Sequence, residues 1–481
     1  CARGAFPAPP PPEPLLREPE RQAVNAALRR AALPVAGARR AEATLRAFSA
    51  VAAGREAVAF LWPAPGPAGD GGPLAPLVAD ALAALGEAPR APAPEPGLAQ
   101  ARSPREALRA AARAGDDALA PLGGTPLAAR AADVLARGAI EAERREAVRD
   151  RRAAPHAGAI VGPALEVLRA ALPEEWSPTQ LEDWARCPFR LLLRTGARLD
   201  EPAEEGLDIE GRDEGSLLHA VLERFVRGRM DRNAWPPAGD AVDLAEARAA
   251  AAIVLGEFER AGRTGDPAVW AARREAVLAR LDRVVRAEAE EPRDVAPALV
   301  EHAFGGRSGR PPLELRAAGE VVRLRGRIDR VDASPTRLLV LDYKNSRGSG
   351  LSEKLDPAAF GETSFQIPTY LLAAARDLPG RTRLDATYAV LRSAERLSPV
   401  ELDAGDPVLA LEAPAGPFDS ASPDARPPSA EPRPFAAAVV QAVAIIRRGE
   451  LPIASRSCTR CPFGAVCRFE GAAARDEEER A

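Results

Sequence analysis

Apolar and polar positions change their spacing several times along the 481 residues, and each change predicts a different kind of structure. The opening "GAFPAPPPPEPLLREPE" is proline-rich and reads as extended chain. From Arg21 to about Ser49 the apolar positions follow helical spacing, and "EAVAFLW" at 56–62 reads as a buried strand. A second proline-rich stretch at 86–104 reads as a linker, and an Ala/Arg-rich helical region follows to about 170. The composition changes at "LPEEWSPTQLEDWARCPFR", where the main domain is expected to open. Within it the pattern predicts helices over about 213–230, 240–261 and 267–290, a strand-rich middle over about 313–344 and a mixed segment to 400. A Pro/Ala/Asp-rich loop over 401–434 and a helix near 435–448 complete it, with no internal repeat.

The sharpest pattern is a period of two. Val322, Leu324 and Ile328 alternate with Arg323, Arg325, Arg327 and Asp329; then Leu339, Leu341 and Tyr343 alternate with Val340, Asp342 and Lys344. "ASPT" between them supplies turn chemistry. With the turn centred between Pro335 and Thr336, antiparallel register sets Asp329 opposite Asp342 on one sheet surface, with Lys344 beside them.

Length and composition add bounds. A chain of this size predicts two or three domains, and an apolar fraction of 46% is ample for burial. A formal charge of −4 excludes a globally basic nucleic-acid binder and leaves room for a local basic groove. No apolar run approaches the roughly 20 residues of a membrane span, and no secretory leader opens the chain, so a cytoplasmic protein is expected. The chain begins with Cys1 and its one methionine is Met230, so we read it as a fragment. Only Lys344 and Lys354 among 65 basic residues are lysines, and histidine occurs only at 156, 219 and 302. There is no G-x4-G-K-[ST] phosphate loop.

Two opposed carboxylates destabilise each other unless something holds them together. A divalent cation does so: hard ions such as Mg2+ take carboxylate oxygens and keep positions open for water and phosphate. Lys344, on the same face, is placed to orient or help deprotonate an attacking water and to offset transition-state charge. A surface hairpin with an Asp–Lys pair is the plainer reading of these residues alone. On the expected helix over 213–230, His219 is available as a further ligand, with Glu223 one turn on. Gln366 and Tyr370 put two hydrogen-bonding groups on one helical face. Near the end, Cys458, Cys461 and Cys467 form C-x2-C-x5-C, one ligand short of the four that a tetrahedral zinc site or a cubane iron–sulfur cluster needs.

Taken in order, Gly-x3-His (215–219), Gly-Arg-Ile-Asp-Arg (326–330), Asp-Tyr-Lys (342–344), Gln-x3-Tyr (366–370) and C-x2-C-x5-C resemble the PD-(D/E)XK nuclease superfamily in its RecB/AddB branch, over about 174–470. The resemblance implies an α/β fold with a central mixed sheet flanked by helices. It makes His219, Asp329, Asp342 and the Tyr343 carbonyl ligands of Mg2+ or Mn2+, and Lys344 the catalytic lysine. Gln366 and Tyr370 would support the site and the DNA. Asn345-Ser346 departs from the Thr-Gly common after that lysine. The same resemblance implies that Cys187, in a Cys-Pro-Phe that recurs at 461–463, completes a 4Fe-4S site with Cys458, Cys461 and Cys467. Zinc is the competing occupant. A cross-link over so long a loop would be worth roughly 5 kcal/mol.

Residues 1–90 resemble the end of a degenerate second motor domain of helicases, 91–173 a linker and helical connector, and 471–481 a charged tail. As to activity, the resemblance implies a metal-dependent deoxyribonuclease of an AddAB/RecBCD-like complex. It would process double-strand-break ends in recombinational repair, acting on single strands from unwound duplex alongside an AddA-like helicase–nuclease partner. The alternative is a catalytically silent DNA-binding scaffold stapled by iron–sulfur or zinc.

Overall fold

Residues 18–53, 76–86, 97–114, 124, 126–199, 208–291, 294–346, 348–413, 433–458, 461–467 and 469 are described by a computed structural model, which divides into two units, Cys1–Pro121 and Leu122–Ala481. In the first unit the helical run expected from Arg21 to Ser49 is two helices, α1 (Glu18–Leu28) and α2 (Ala36–Ala52). Pro34, which cannot donate a helical hydrogen bond, falls in the break. There the Asn25 side chain both donates to and accepts from the Leu33 backbone at 2.8 Å. Helices α3 (Pro76–Leu85) and α4 (Pro104–Ala114) follow. The strand expected at 56–62 and residues 4–17 of the proline-rich opening lie outside the described residues.

The second unit opens with α5 (Pro126–Arg149) and α6 (Pro163–Ala171), then strand β1 (Glu175–Trp176), α7 (Pro178–Arg186) and α8 (Pro188–Leu191). Ser177 caps α7 by accepting from the Gln180 backbone, and Gln180 returns the bond through its side chain, so the sequence S-P-T-Q fixes where this helix starts. The three expected long helices are present as α9 (Gly211–Asp231), α10 (Ala241–Arg260) and α11 (Pro267–Glu290). Asp240 and Asp266 cap the last two through backbone N–H groups at their starts.

Strands β2 (Ala296–Phe304), β3 (Leu313–Ala317), β4 (Glu320–Leu324), β5 (Gly326–Ala333) and β6 (Arg337–Lys344) come next. They are followed by α12 (Gln366–Asp377), β7 (Arg383–Val390), β8 (Glu395–Arg396), β9 (Val400–Asp403), β10 (Glu412–Ala413), α13 (Phe435–Arg447) and α14 (Gly464–Cys467). The main sheet has the order β2-β5-β6-β7-β8, with β9 also on β7; β6 and β7 run parallel and the other pairs antiparallel. A smaller sheet has the order β1-β4-β3-β10. The architecture is therefore the expected mixed α/β one, with helices flanking mixed sheets.

One expectation needs refining. The alternating run from Val322 to Asp329 is two strands in two sheets, parted at Arg325. Gly326 marks the change: a Cβ there would stand 2.8 Å from Phe304 Cζ and 3.0 Å from Tyr370 Cε1, so only glycine lets β5 start so close to its neighbours.

The β5–β6 hairpin turns at Ser334, whose backbone N–H donates to Arg337 O at 2.9 Å. Its pairing runs from Ala333 opposite Leu338 to Arg330 opposite Leu341, the register that brings Asp329 and Asp342 together one step further. Every residue of β6 from Leu338 to Tyr343 is buried, because both faces are covered. Leu338 and Val340 face a core shared with α12 and α13, whereas Tyr343 joins the core of α9, α10 and α11. The ends of β5 and β6 lie where these two helical layers meet, and the candidate site is there.

Candidate active site

Asp329 ends the regular ladder. Its Oδ2 accepts the Tyr343 backbone N–H at 2.7 Å, a bond the strand pair would otherwise use, which fixes the carboxylate against the sheet. Helix α9 crosses here with His219, whose Nε2 donates to the Tyr343 carbonyl at 3.1 Å while Nδ1 lies 3.4 Å from Asp329 Oδ1. Strand β2 adds Glu301, a residue the sequence pattern did not single out. Its neighbours Val300 and His302 pair with Arg330 and Ile328, so Glu301 stands across from Asp329. Its backbone is left-handed, with φ of 48°, inside a strand. Such a conformation costs a non-glycine residue about 1–3 kcal/mol and is common at functional sites. One ligand atom each from His219, Glu301 and Asp329 fall within 4.8 Å of one another.

Asp342 and Lys344 occupy the adjoining half of the site. Lys344 Nζ is 2.5 Å from Asp342 Oδ2 and donates to Gln366 Oε1 at 2.8 Å. Gln366 Nε2 in turn donates to Asp342 Oδ1 at 2.8 Å and to the Tyr370 hydroxyl at 3.2 Å. The amide thus has one orientation that satisfies both neighbours. Its position is set from α7, because Glu182 Oε1 accepts from the backbone N–H groups of Phe365 and Gln366 at 3.3 and 3.4 Å. Lys354, the second lysine, holds Glu182 Oε2 at 2.7 Å. Glu223 pairs with Arg227 along its own helix and takes no part.

In the site the carboxylates of Asp329, Asp342 and Glu301 crowd together. Burial pushes the Asp342 carboxyl up, to about 6, against the pull of Lys344, and the Asp329 charge adds to the rise. Burial and Asp329 likewise raise Glu301. Burial would lower His219, but the carboxylate of Asp329, with Asp342 and Glu301 behind it, raises it. Burial would lower Lys344 too; Asp342 overrides this, so the ammonium stays charged at neutral pH. An oxygen-rich set with one imidazole and raised carboxyl pKa values fits a hard divalent cation.

The four cysteines singled out in the sequence line one cavity, together with Phe189, Leu193, Ile453 and Phe463. Cys187 follows the last residue of α7, and Arg456 N donates to Arg186 O at 2.9 Å, tying the two cysteine-bearing segments. All four thiols are free, and burial pushes those of Cys187 and Cys467 up. The sulfurs do not draw within 4.8 Å as a group of three, as the His219 group does. Four thiols around a partly apolar cavity are a donor set suited to soft metal.

The fold is that of a nuclease superfamily. The sequence profile of the PD-(D/E)XK nuclease superfamily matches residues 175–468, and the chain belongs to it. Within it, the chain is similar to the AddB-type subunit of the ATP-dependent helicase/deoxyribonuclease of Moorella thermoacetica, 32% identical over 224 residues, which is 43% of this chain and 18% of that protein. The corresponding protein of Pelotomaculum thermopropionicum is 30% identical over 248 residues, covering 48% of this chain and 20% of its own. That of Acetivibrio thermocellus is 31% identical over 211 residues, 40% and 17% of the two chains. Each match spans a fifth or less of the relative, so the similarity to AddB proteins is distant and partial.

Proposed function

We propose that the chain is a Mg2+- or Mn2+-dependent deoxyribonuclease, the nuclease portion of an AddB-like protein. The observation that carries this is the meeting of His219, Glu301 and Asp329 at the strand ends that also bear Asp342 and Lys344. His219, Asp329, Asp342 and the Tyr343 carbonyl would hold the ion, with Glu301 as an additional carboxylate. When bound, the ion would polarise a phosphodiester oxygen and lower the pKa of a bound water.

The protein's own groups do the rest. Lys344, kept protonated by Asp342, offers a cation to the charge that builds on the phosphorus oxygens, so its role is electrostatic. Gln366 orients Lys344 and Asp342 together, and Tyr370 orients Gln366. Glu182 and Lys354 anchor the first turn of α12, and with it Gln366. Burial of Asp342 excludes water from one side of the site.

The reading extends to the rest of the chain. Cys187, Cys458, Cys461 and Cys467 would hold a 4Fe-4S cluster that ties the start of the nuclease domain (174–470) to its end. Residues 1–90 would be the remnant of a motor domain, 91–173 a connector and 471–481 a tail. The substrate would be single strands from unwound duplex ends, the partner an AddA-like helicase–nuclease, and the setting the cytoplasm, where thiols stay reduced. No described helix is long and apolar enough to cross a membrane. The test is cleavage of an end-labelled single strand by the purified chain in Mg2+ and in EDTA. Cleavage that needs the metal supports the reading; binding without cleavage in either condition favours the silent scaffold.

A further inference from the structure

Beyond Lys344, β6 runs into a cluster of arginines that the proposed chemistry does not use. Its centre is Glu214 on α9, 1% exposed. Glu214 Oε2 accepts from Asn345 Nδ2 at 2.9 Å, and the carboxylate lies 3.3 Å from both Arg273 Nη2 and Arg280 Nη1 of α11. Arg392, in the turn after β7, reaches within 3.8 Å of the same carboxylate. Arg280 Nη1 also donates to Asn345 Oδ1, and Arg392 Nε to the Asn345 carbonyl, both at 2.9 Å. Burial would raise Glu214, but Asn345, Arg280 and Arg273 lower it, so the carboxylate is ionised at neutral pH.

Asp208 also comes within 3.9 Å of Arg273 Nε, so two carboxylates face three guanidiniums. A surplus of positive charge remains immediately after the catalytic lysine, in a chain of net charge −4. The side chains of Arg273 and Arg392 are 35% and 41% exposed, so part of each fork is open to a ligand. A buried carboxylate that holds arginines by one edge pre-organises the other edge. A guanidinium fork matches two phosphate oxygens in a way an ammonium does not. Asn345, the residue after Lys344, ties the cluster to the strand end, because its side chain joins Glu214 to Arg280.

We propose that Arg392 and Arg273 form a subsite for a phosphate of the nucleic-acid strand next to the one being cut, built on the buried Glu214–Asn345–Arg280 cluster. This rests on the nuclease reading for the identity of the ligand. A merely structural cluster would tie α9 and α11 to the strand end and take no part in binding.

The experiment is anisotropy of a labelled single-stranded oligonucleotide with the full chain in EDTA, across a series of salt concentrations. Arg392→Gln is expected to weaken binding about tenfold at low salt and to make the slope of log K against log salt shallower by about 0.7, the loss of one phosphate contact on a single strand. Arg273→Gln should act in the same direction. Arg392→Lys should keep most of the slope, and Arg323→Gln on β4, whose partner is Glu314, should match the parent. Thermal melts of each variant separate misfolding from lost contacts. A parent-like slope and affinity in a folded Arg392→Gln, equal weakening by Arg323→Gln, or no binding by the parent would overturn the proposal. The readout needs no cleavage, so a parent that binds with the expected slope yet never cuts refutes the catalytic reading and leaves the phosphate subsite standing.

Discussion

Behind Asp329 lies a buried ion network whose strength can be worked out. Arg330, 1% exposed, is gripped by Asp332 at 2.6 and 2.5 Å and by Glu288 of α11 at 2.9 Å. Arg396 holds the second Glu288 oxygen at 2.6 Å. The guanidinium lies over Trp235 at 4.4 Å and donates to the Tyr343 hydroxyl at 3.5 Å, so the network braces the residue whose backbone joins His219 and Asp329. Burial pushes Glu288 up, yet Arg330 and Arg396 outweigh it and bring it down to about 2. Against an ordinary carboxyl near 4.5 that difference corresponds to about 3 kcal/mol. Breaking a buried pair by removing one partner costs a similar amount, about 3–5 kcal/mol. Some returns, because burial and then the Glu288 charge both hold Asp332 above its usual range, and the second of these disappears. Glu288→Gln should therefore lower the unfolding free energy by about 2–3 kcal/mol at pH 7. A folded pKa below the unfolded one gives stability that is complete above the ordinary carboxylate range and is lost as pH falls. The gap between parent and variant should thus be widest at neutral pH and close as pH drops from about 5 towards 2. Urea titrations followed by tryptophan fluorescence measure both. A gap under about 1 kcal/mol at pH 7, or one that does not change with pH, refutes the account of the network.

Two further outcomes concern the sites. Glu301→Gln keeps the shape of its side chain but removes one charge from the His219 group; divalent-ion affinity measured by calorimetry should fall about tenfold while the melting temperature holds. Cys187→Ser should turn a brown, iron-containing protein pale on anaerobic purification, and lower both its melting temperature and its DNA affinity, whereas Cys1→Ser should change none of these; a colourless, zinc-rich parent would contradict the cluster.

The helices α9, α10 and α11 and the β5–β6 hairpin were legible in the sequence because their signals are local. The apolar spacing is regular, Asp240 and Asp266 mark helix starts, and Ser334 marks the turn. Register followed from the turn alone. What escaped was set by tertiary contact. The alternation runs unbroken through Arg325, so nothing in the pattern shows that β4 and β5 belong to different sheets; Gly326 was the one local sign. Strand β2 includes Pro297 and Ala298 and turns left-handed at Glu301, which hides both the strand and the acid it delivers. Strands β6 and β7 are buried on both faces, so period two could not report that they pair in parallel. In the site, the order of motifs pointed to His219, Asp329, Asp342, Lys344, Gln366 and Tyr370. The anchoring of Gln366 by Glu182 and Lys354 joins residues more than 170 positions apart, and no spacing rule reaches that far.

The central claim is that Lys344 acts on the reacting phosphate. The most direct test is single-turnover cleavage of a labelled single strand in Mg2+ by the parent and by Lys344→Ala, with binding of the same strand measured in EDTA. A group that acts in the transition state contributes little to ground-state binding. The account predicts parent-like affinity and a cleavage rate lowered by about a hundredfold to a thousandfold, the scale of losing a preorganised electrostatic contact. Cleavage by the folded variant within a few-fold of the parent rate would contradict it.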